Sequence, residues 1–442
     1  MGTDTFHPPP LEIPTKVYRN SAQPGLFVTA SDDESLAVYP IKEGKIVDLQ
    51  AFLYFLKLIY KSILNEKSQG GEKEGAFDNE LNNIPFLLVS HHSWTRSHIE
   101  QITQYVFELL EINSFMILPF ALATTYAFGS LQNSLVIDVG LEKTDLVPIL
   151  DYTPIGFLST TLRKGSTSIN AELKKLLPHL TSAQIEQLKK SDIYEVLSED
   201  DKKNSFFGAD AFEPEQDPDA EGALDVAAIV TSGRDTREIL EERERKKNET
   251  NVNNTELETN SFVDSEGNEV SVGKQRFQGC EPLIKQISLI VGQVLSQIDD
   301  MHKLRSIWEN ILVVGNTSMI KGFKEALLVQ LCKDHLIIEP DSERQLREQE
   351  ALSQAALTKK KNKFMNTPFM HSLEYLQAPT IIKLAKFPEY FPEWKKHGYG
   401  EIGFLGAQIV SKQVFGHNND SFFVTREKYE RVGPSAVWDV SF

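Results

Sequence analysis

Cysteine and positive charge are both scarce in this sequence, and each scarcity excludes a class of protein. Cysteine occurs only as Cys280 and Cys332 among 442 residues. That is too few for a disulfide framework and favours a reducing compartment. Lys and Arg number 46 against 63 Asp and Glu, which gives a net charge of −17. Because phosphate binding uses clustered Lys and Arg, this balance argues against DNA or RNA as the main ligand. Any nucleic-acid role is therefore expected to pass through a partner.

Long hydrophobic runs are also missing. The most apolar stretch, residues 49–64, carries Lys57 and Lys61 and is shorter than the roughly 20 residues needed to cross a bilayer. Its apolar residues recur at helical spacing, which predicts a core helix and no membrane association. The first ten residues lack the basic-then-apolar pattern of a secretory signal. They are rich in proline and are predicted to be disordered.

Strand-like and helix-like segments alternate along the rest of the chain. An apolar strand is predicted over residues 85–90, a helix over 97–112 and a second helix over 119–126. Such alternation is typical of an α/β fold, and the length predicts two or more lobes. Two segments, about 198–225 and 341–365, are predicted to be inserted surface segments because one is strongly acidic and the other passes from Ala-rich to basic. The role of both inserts stays open.

Two further segments have the shape of phosphate-binding turns. Residues 135–149 form an apolar strand, a tight polar turn and a second apolar strand, whereas residues 308–323 form a buried strand, a small-residue turn and a helix start. The candidate nucleotide-cleft residues in these turns are Asp138, Gly140, Gly315, Thr317, Ser318 and Met319. Glu142 stands at the tip of the first turn, where a carboxylate beside a phosphate costs about 1 kcal/mol or more. A tight hairpin needs a glycine and a turn-forming acidic residue even where no ligand binds. Asp138 and Gly315 therefore also have a purely structural explanation.

Three histidines, His91, His92 and His98, are close together in the sequence. No cysteine or acidic residue accompanies them at the spacing of metal ligands. We interpret them as part of a polar loop, and no metal site is predicted.

Taken in order along the chain, these segments resemble the actin family. The likeness runs through residues 39–47, 102–108, both turns and 272–277, and it is strongest at 404–410 and 433–442. The resemblance implies an α/β, actin-like fold of two lobes, with a five-stranded mixed sheet in each lobe. It assigns residues 11–133 to the first lobe with a reduced second subdomain, 134–385 to the second lobe, and 386–442 to a return into the first.

The resemblance also exposes departures at the nucleotide site. The position of the family's water-orienting Gln is matched by Phe120, or by Ala121 if the register shifts by one, and neither side chain can hydrogen-bond water. Leu141 stands where the family has a second acid, Asn316 replaces a glycine, and Gly400 stands where an adenine-side Lys is usual. These departures imply no catalysis and no cofactor, although residual ATP binding without hydrolysis stays open.

The family's first β-hairpin is also expected to be missing, because only Met1 to Pro10 precedes Leu11, which already resembles the region after that hairpin. The fold has lost the hairpin or the sequence is an incomplete copy. The segment Pro14 to Tyr39 is too short for the family's full second subdomain, so filament formation is not expected.

Within the family, residues 232–238, 386–396 and 436–440 are most similar to a nuclear branch found in SWI/SNF and RSC chromatin remodellers. That likeness implies a non-enzymatic subunit in the nucleus that supports nucleosome remodelling and transcription, with indirect nucleosome contact. It implies two partners, a second actin-related protein in a heterodimer and the helicase-SANT-associated helix of the remodeller ATPase. Which remodeller is involved stays open, and the alternatives are an actin-fold ATPase or a nucleotide-binding cytoskeletal actin-related protein.

The implied mode of binding the ATPase helix is helix-in-groove. The predicted groove wall consists of Tyr126, Leu405, Ile409 and Val410. Replacing Ile409 and Val410 by Asp is expected to abolish binding of the ATPase helix while leaving the fold intact.

Overall fold

The computed structural model describes most of the chain and leaves out both predicted inserts. The described residues are 6–9, 11–21, 23, 25–68, 82–197, 254–337, 379–416 and 421–440. The predictions for residues 198–225 and 341–365 therefore lie outside them. Within these ranges no helix combines the length and apolarity needed to cross a membrane.

Short strands and helices alternate through both halves of the chain. The described strands are β1 Val17–Arg19, β2 Phe27–Val28, β3 Ala37–Val38, β4 Ile41–Lys42, β5 Lys45–Ile46, β6 Phe86–Ser90, β7 Ser114–Pro119, β8 Ser134–Val139, β9 Thr144–Leu150, β10 Thr153–Pro154, β11 Thr160–Leu162, β12 Asn260–Val263, β13 Glu269–Val272, β14 Ile311–Val314 and β15 Val424–Thr425. The described α-helices are α1 Leu49–Ser68, α2 Arg96–Glu108, α3 Phe120–Ala127, α4 Ser166–Leu176, α5 Ser182–Lys190, α6 Glu281–Leu295, α7 Met301–Trp308, α8 Phe323–His335, α9 Pro392–His397, α10 Ile402–Gly416 and α11 Arg426–Val432.

A five-stranded mixed sheet is the centre of the second lobe. Its strands follow the order β10-β9-β8-β14, with β11 pairing on β9. Strand β8 pairs with β9 on one side in antiparallel orientation. On its other side β8 pairs with β14 in parallel orientation, with Val314 opposite Asp138. The predicted five-stranded mixed sheet is confirmed for this lobe. Because β8 and β14 are adjacent and parallel, the two predicted phosphate turns that follow them lie side by side.

The first lobe has a smaller main sheet than the second. In the described part of the chain its main sheet has three strands, in the order β15-β7-β6, fewer than the family's five and consistent with the expected loss of the first β-hairpin. Strands β1, β2 and β3 form a separate small sheet. The described residues before Val17 contribute no strand, and they contain Pro8, Pro9 and Pro14. Since proline has no N–H to donate to a ladder, this segment is poorly suited to extend the sheet.

Part of the N-terminal segment is packed against the folded chain. The Phe6 ring lies edge-on to the Phe391 ring, with 5.6 Å between centroids. The Gln408 side chain on α10 donates a hydrogen bond to the His7 carbonyl at 3.0 Å. The prediction of disorder over residues 1–10 is therefore wrong for residues 6–9, because Phe6 finds an apolar surface. Residues 1–5 and 10 lie outside the described residues.

The predicted helices are present with shifted ends. Helix α1 covers the predicted 49–64 and continues to Ser68. Helix α2 ends at Glu108 rather than at residue 112, and Leu109, just after its end, is 67% exposed. Helix α3 covers the predicted 119–126 within one residue.

Helices α3 and α10 pack unusually closely through glycine. A Cβ added to Gly406 would lie 1.7 Å from the Ala123 carbonyl oxygen, and one added to Gly403 would lie 2.3 Å from the Phe120 ring. Residues of both helices share one apolar cluster with β8, β9 and β14 of the second lobe. The helix pair therefore connects the two lobes.

Candidate functional site

The two predicted phosphate turns contact each other directly. The Thr317 hydroxyl donates a hydrogen bond to the Gly140 carbonyl at 2.9 Å, and the Ser166 backbone N–H donates to the same oxygen at 3.0 Å. The Gly140 N–H donates to the Lys143 carbonyl at 2.9 Å. The Gly140 N–H, which is the donor that could have faced a phosphate, is thus paired within the chain, and so is the Gly140 carbonyl.

Gly315 is held where only glycine fits. Its φ is +88°, and an added Cβ would lie 2.5 Å from both the Asp138 carboxylate and the Val139 carbonyl oxygen. Ser318 is buried and its hydroxyl donates to the Gly315 carbonyl at 2.8 Å. Met319 ends the same short 3-10 turn. The structure therefore brings the predicted cleft residues together, and the expectation that they hold no cofactor stays a prediction.

Asn316 and Gly400, two positions that depart from the family, lie next to each other in the structure. The Asn316 amide donates to the Glu401 carboxylate at 2.9 Å. A Cβ on Gly400 would lie 1.7 Å from the Asn316 side-chain oxygen, so a lysine at position 400 could not be accommodated unless Asn316 moved. Burial raises the pKa of Glu401 above its ordinary value, with nearby Glu12 adding to the effect. The two departures noted in the sequence thus form one rearranged contact.

A polar cluster lies at the floor of the cleft, and we call it the cleft cluster. It consists of His91 and His92 from the loop after β6, Lys143 and Asp145 from the first turn and β9, and Thr161 from β11. The His91 Nε2 atom lies 2.8 Å from one Asp145 carboxylate oxygen, and His92 Nε2 lies 3.3 Å from the other. The cluster therefore joins the two lobes through side chains.

Thr161 and Lys143 complete the pairing of Asp145. The Thr161 hydroxyl donates to the Asp145 carboxylate at 2.6 Å. The Lys143 ammonium contacts the other carboxylate oxygen and lies 2.8 Å from His91 Nε2. Side-chain exposure is 19% for Lys143 and 6% for Asp145. Every polar atom of the Asp145 carboxylate thus has a partner within the cluster.

Sequence reasoning missed Asp145 as the acidic partner of the histidines. His98 belongs to α2 and takes no part, but Asp145, which is 54 residues after His91, supplies the acid that the local sequence lacked. One signal was present in the sequence, because Asp145 is the only charged residue in the otherwise apolar strand β9. A charged residue in a buried strand needs a partner.

Burial sets the charge state of this cluster. It lowers the pKa of His91 to about 3 and that of His92 to about 4, and the Lys143 charge adds to both effects. Both imidazoles are therefore neutral near pH 7. Burial also lowers the pKa of Lys143, and it raises the pKa of Asp138 to about 6 despite the opposing charge of Lys143.

The space left at the cleft floor is small. A cavity of about 20 Å³ is lined by His91, His92, Phe120, Asp138 and Asp145, among other residues. Small-molecule sites are roughly 300 Å³ or larger, whereas about 10 to 15 Å³ holds one water. Phe120 stands at the position that the resemblance gives to a water-orienting Gln. The floor therefore has room for a water molecule or an ion.

Burial divides the predicted groove wall into two pairs. Leu405 is 0% exposed and Val410 is 1% exposed, so their side chains belong to the core beneath α10. Tyr126 and Ile409 are partly exposed and can meet a partner. The groove assignment stays a prediction for Tyr126 and Ile409. The burial of Val410 argues against the expectation that Asp at this position leaves the fold intact, because that side chain has no access to water.

Comparison with known proteins gives three matches. The family model described as Actin matches residues 26–347. The chain is similar to the "SWI/SNF and RSC complexes subunit arp9" of Schizosaccharomyces pombe, with 28% identity over 90% of this chain and 78% of that protein. It is also similar to "Actin-related protein 7" of Arabidopsis thaliana, with 23% identity over 91% of this chain and 85% of that protein.

Proposed function

The chain belongs to the actin family, and from this premise we propose that it is a non-catalytic subunit of a chromatin-remodelling complex of the SWI/SNF or RSC class. The observation that carries the proposal is the similarity, along 90% of the chain, to a fission-yeast protein named as a subunit of those complexes. The proposed location is the nucleus, and nucleosome contact would be indirect because the chain carries a net charge of −17.

Three local features support the non-catalytic part of the proposal. Phe120 offers no hydrogen-bonding group to orient an attacking water. The cavity beside it is about 20 Å³, far below the space that a small molecule fills. The Gly140 N–H, the backbone donor that could reach a phosphate, already donates to the Lys143 carbonyl at 2.9 Å. The two lobes are also connected by contacts within the chain, which is the property expected of a rigid structural subunit rather than of an ATPase that changes conformation.

The proposed partners are a second actin-related protein and the long helicase-SANT-associated helix of the remodeller ATPase. Tyr126 and Ile409 are the partly exposed members of the predicted groove, and they are carried on α3 and α10. Because Gly403 and Gly406 hold these helices closely together, the groove would keep its shape without a ligand. A preformed groove loses less entropy when it binds an amphipathic helix.

Purification of the tagged full chain from the nuclei of its own cells tests this function. Mass spectrometry of the eluate is expected to identify a remodeller ATPase and a second actin-related protein in amounts comparable to the bait. Cells expressing the tag alone provide the control. Recovery of microtubule-motor activators or actin-branching subunits instead would favour a cytoskeletal role and overturn the proposal.

Nucleotide turnover is expected to be absent from the purified full chain. In a calorimetric titration with ATP and magnesium, any heat should correspond to weak binding at most. A phosphate-release assay should give the same rate with and without the protein, because Phe120, at the position of the family's water-orienting Gln, offers no hydrogen-bonding group. Actin treated identically is the positive control. Steady phosphate release that scales with protein concentration would establish the rival ATPase function.

A further inference from the structure

We propose that the cleft cluster is a binding site for a divalent transition metal of the zinc class, with His91, His92 and Asp145 as its ligands. One ligand atom from each of these three residues lies within 4.8 Å of the others. Two imidazole nitrogens and one carboxylate oxygen form a zinc-type ligand set that leaves one position open. All three ligands belong to the chain, so the site requires no nucleotide and is independent of the proposed chromatin role.

A cation already occupies this position. The Lys143 ammonium contacts Asp145 and lies 2.8 Å from His91 Nε2. The backbone N–H of Ser93 donates to His91 Nδ1 at 3.1 Å, so the proton of the neutral ring lies on Nε2 and faces the Asp145 carboxylate at 2.8 Å. Metal binding at Nε2 would require the ring proton to move to Nδ1, where the Ser93 hydroxyl, 2.7 Å away, can accept a hydrogen bond. Metal-binding histidines are held in this way by an outer partner on the second nitrogen.

The surroundings fit a small cation. The cavity of about 20 Å³ beside the ligands has room for an ion or a water, and Asp138 lines it together with Asp145. Thr161 donates to Asp145 at 2.6 Å and fixes the orientation of its carboxylate. Lys143 is the competitor, and its side chain is 19% exposed, so it can turn toward solvent when a metal enters. Lys45 adds a second opposing positive charge.

The ligand types select the metal. Imidazole nitrogens suit zinc, cobalt, nickel and copper, whereas magnesium and calcium prefer oxygen ligands. A bound ion would link the lobes, because His91 and His92 belong to the first lobe and Asp145 to the second. Metal binding is therefore expected to stabilise the whole chain against unfolding.

The test uses the purified full chain after chelator treatment and dialysis. Zinc chloride is titrated in competition with a chromophoric chelator, and cobalt chloride is added separately to record visible absorption. The wild-type chain is expected to bind one equivalent of zinc and to give the intense cobalt bands of a four-coordinate site. Magnesium chloride is expected to leave both the competition and the melting temperature unchanged.

Three variants make the result specific. Lys143→Met removes the competing ammonium and should tighten zinc binding about tenfold or more, since like charges in contact oppose each other. His92→Gln removes a ligand and should weaken zinc binding by more than the roughly 10- to 100-fold loss that an outer-shell change causes. His98→Ala changes a nearby histidine outside the cluster and should behave as wild type. Melting curves establish that each variant is folded.

Two results would overturn the proposal. The first is the absence of stoichiometric zinc binding in both the wild type and Lys143→Met. The second is equal zinc affinity in His92→Gln, His98→Ala and the wild type, which would place the metal elsewhere. Because Lys143→Met is expected to gain affinity, the proposal does not depend on a variant that loses function by failing to fold.

Discussion

Gly406→Ala is expected to lower the stability of the chain by about 3 kcal/mol, at the upper end of overpacking effects. The new Cβ would lie 1.7 Å from the Ala123 carbonyl oxygen and 2.6 Å from the carbonyl carbon. Both atoms are backbone, so no side chain can rotate away and α10 must move from α3. The change should be measured as a lower melting temperature of the purified chain and as weaker capture of the proposed partners.

Gly416→Ala is the matched control for that experiment. Gly416 ends the same helix, and nothing lies within 4 Å of the Cβ that would be added. Alanine is a better helix former than glycine, so this variant should melt at the wild-type temperature or slightly above it. Equal melting temperatures for Gly406→Ala and the wild type would contradict the close packing of α3 and α10.

Two neighbouring substitutions on α10 are expected to have opposite consequences. Val410→Asp should prevent folding, because the side chain is 1% exposed and an unpaired buried carboxylate costs several kcal/mol. Ile409→Asp should leave a cooperative melting transition, since this side chain is partly exposed and its carboxylate can reach water. If the groove binds the ATPase helix, Ile409→Asp should reduce its capture at least tenfold, in the range of a binding hot spot of about 2 kcal/mol.

Leu289→Asp provides the comparison for Ile409→Asp. Leu289 is an apolar residue on α6 of the second lobe and is 59% exposed. The same chemical change there should leave both the melting temperature and the capture of the ATPase helix unaltered. A folded Ile409→Asp variant with undiminished capture would show that the partner uses another surface.

Local patterns in the sequence were sufficient for much of the fold. Alternating apolar strands and helices predicted β6, α2 and α3, and the hairpin of β8 and β9 followed from two apolar strands around a polar turn. The five-stranded sheet of the second lobe came from the family resemblance. The same comparison indicated that the first β-hairpin is missing, and three strands form the described sheet of the first lobe.

The site was predicted less well, for two physical reasons. Helix α10 carries apolar residues on every face, so its pattern could not distinguish the buried Leu405 and Val410 from the partly exposed Ile409. The cleft cluster is assembled from segments far apart in the sequence, and Asp145 lies 54 positions after His91. No local spacing rule for metal ligands could detect that combination. The indication that the sequence did contain was Asp145, a charged residue within the apolar strand β9.

The hydrogen bond from Thr317 to Gly140, 2.9 Å long, has a consequence for how the molecule responds to its surroundings. A contact that depends on a bound ligand weakens when the concentration of that ligand falls. A contact between two groups of the same chain does not depend on any free concentration, because the chain itself keeps the groups close. The distance between the two turns should therefore not depend on the ATP concentration in the cell. A subunit of the proposed kind would then present the same surface to its partners at any ATP concentration.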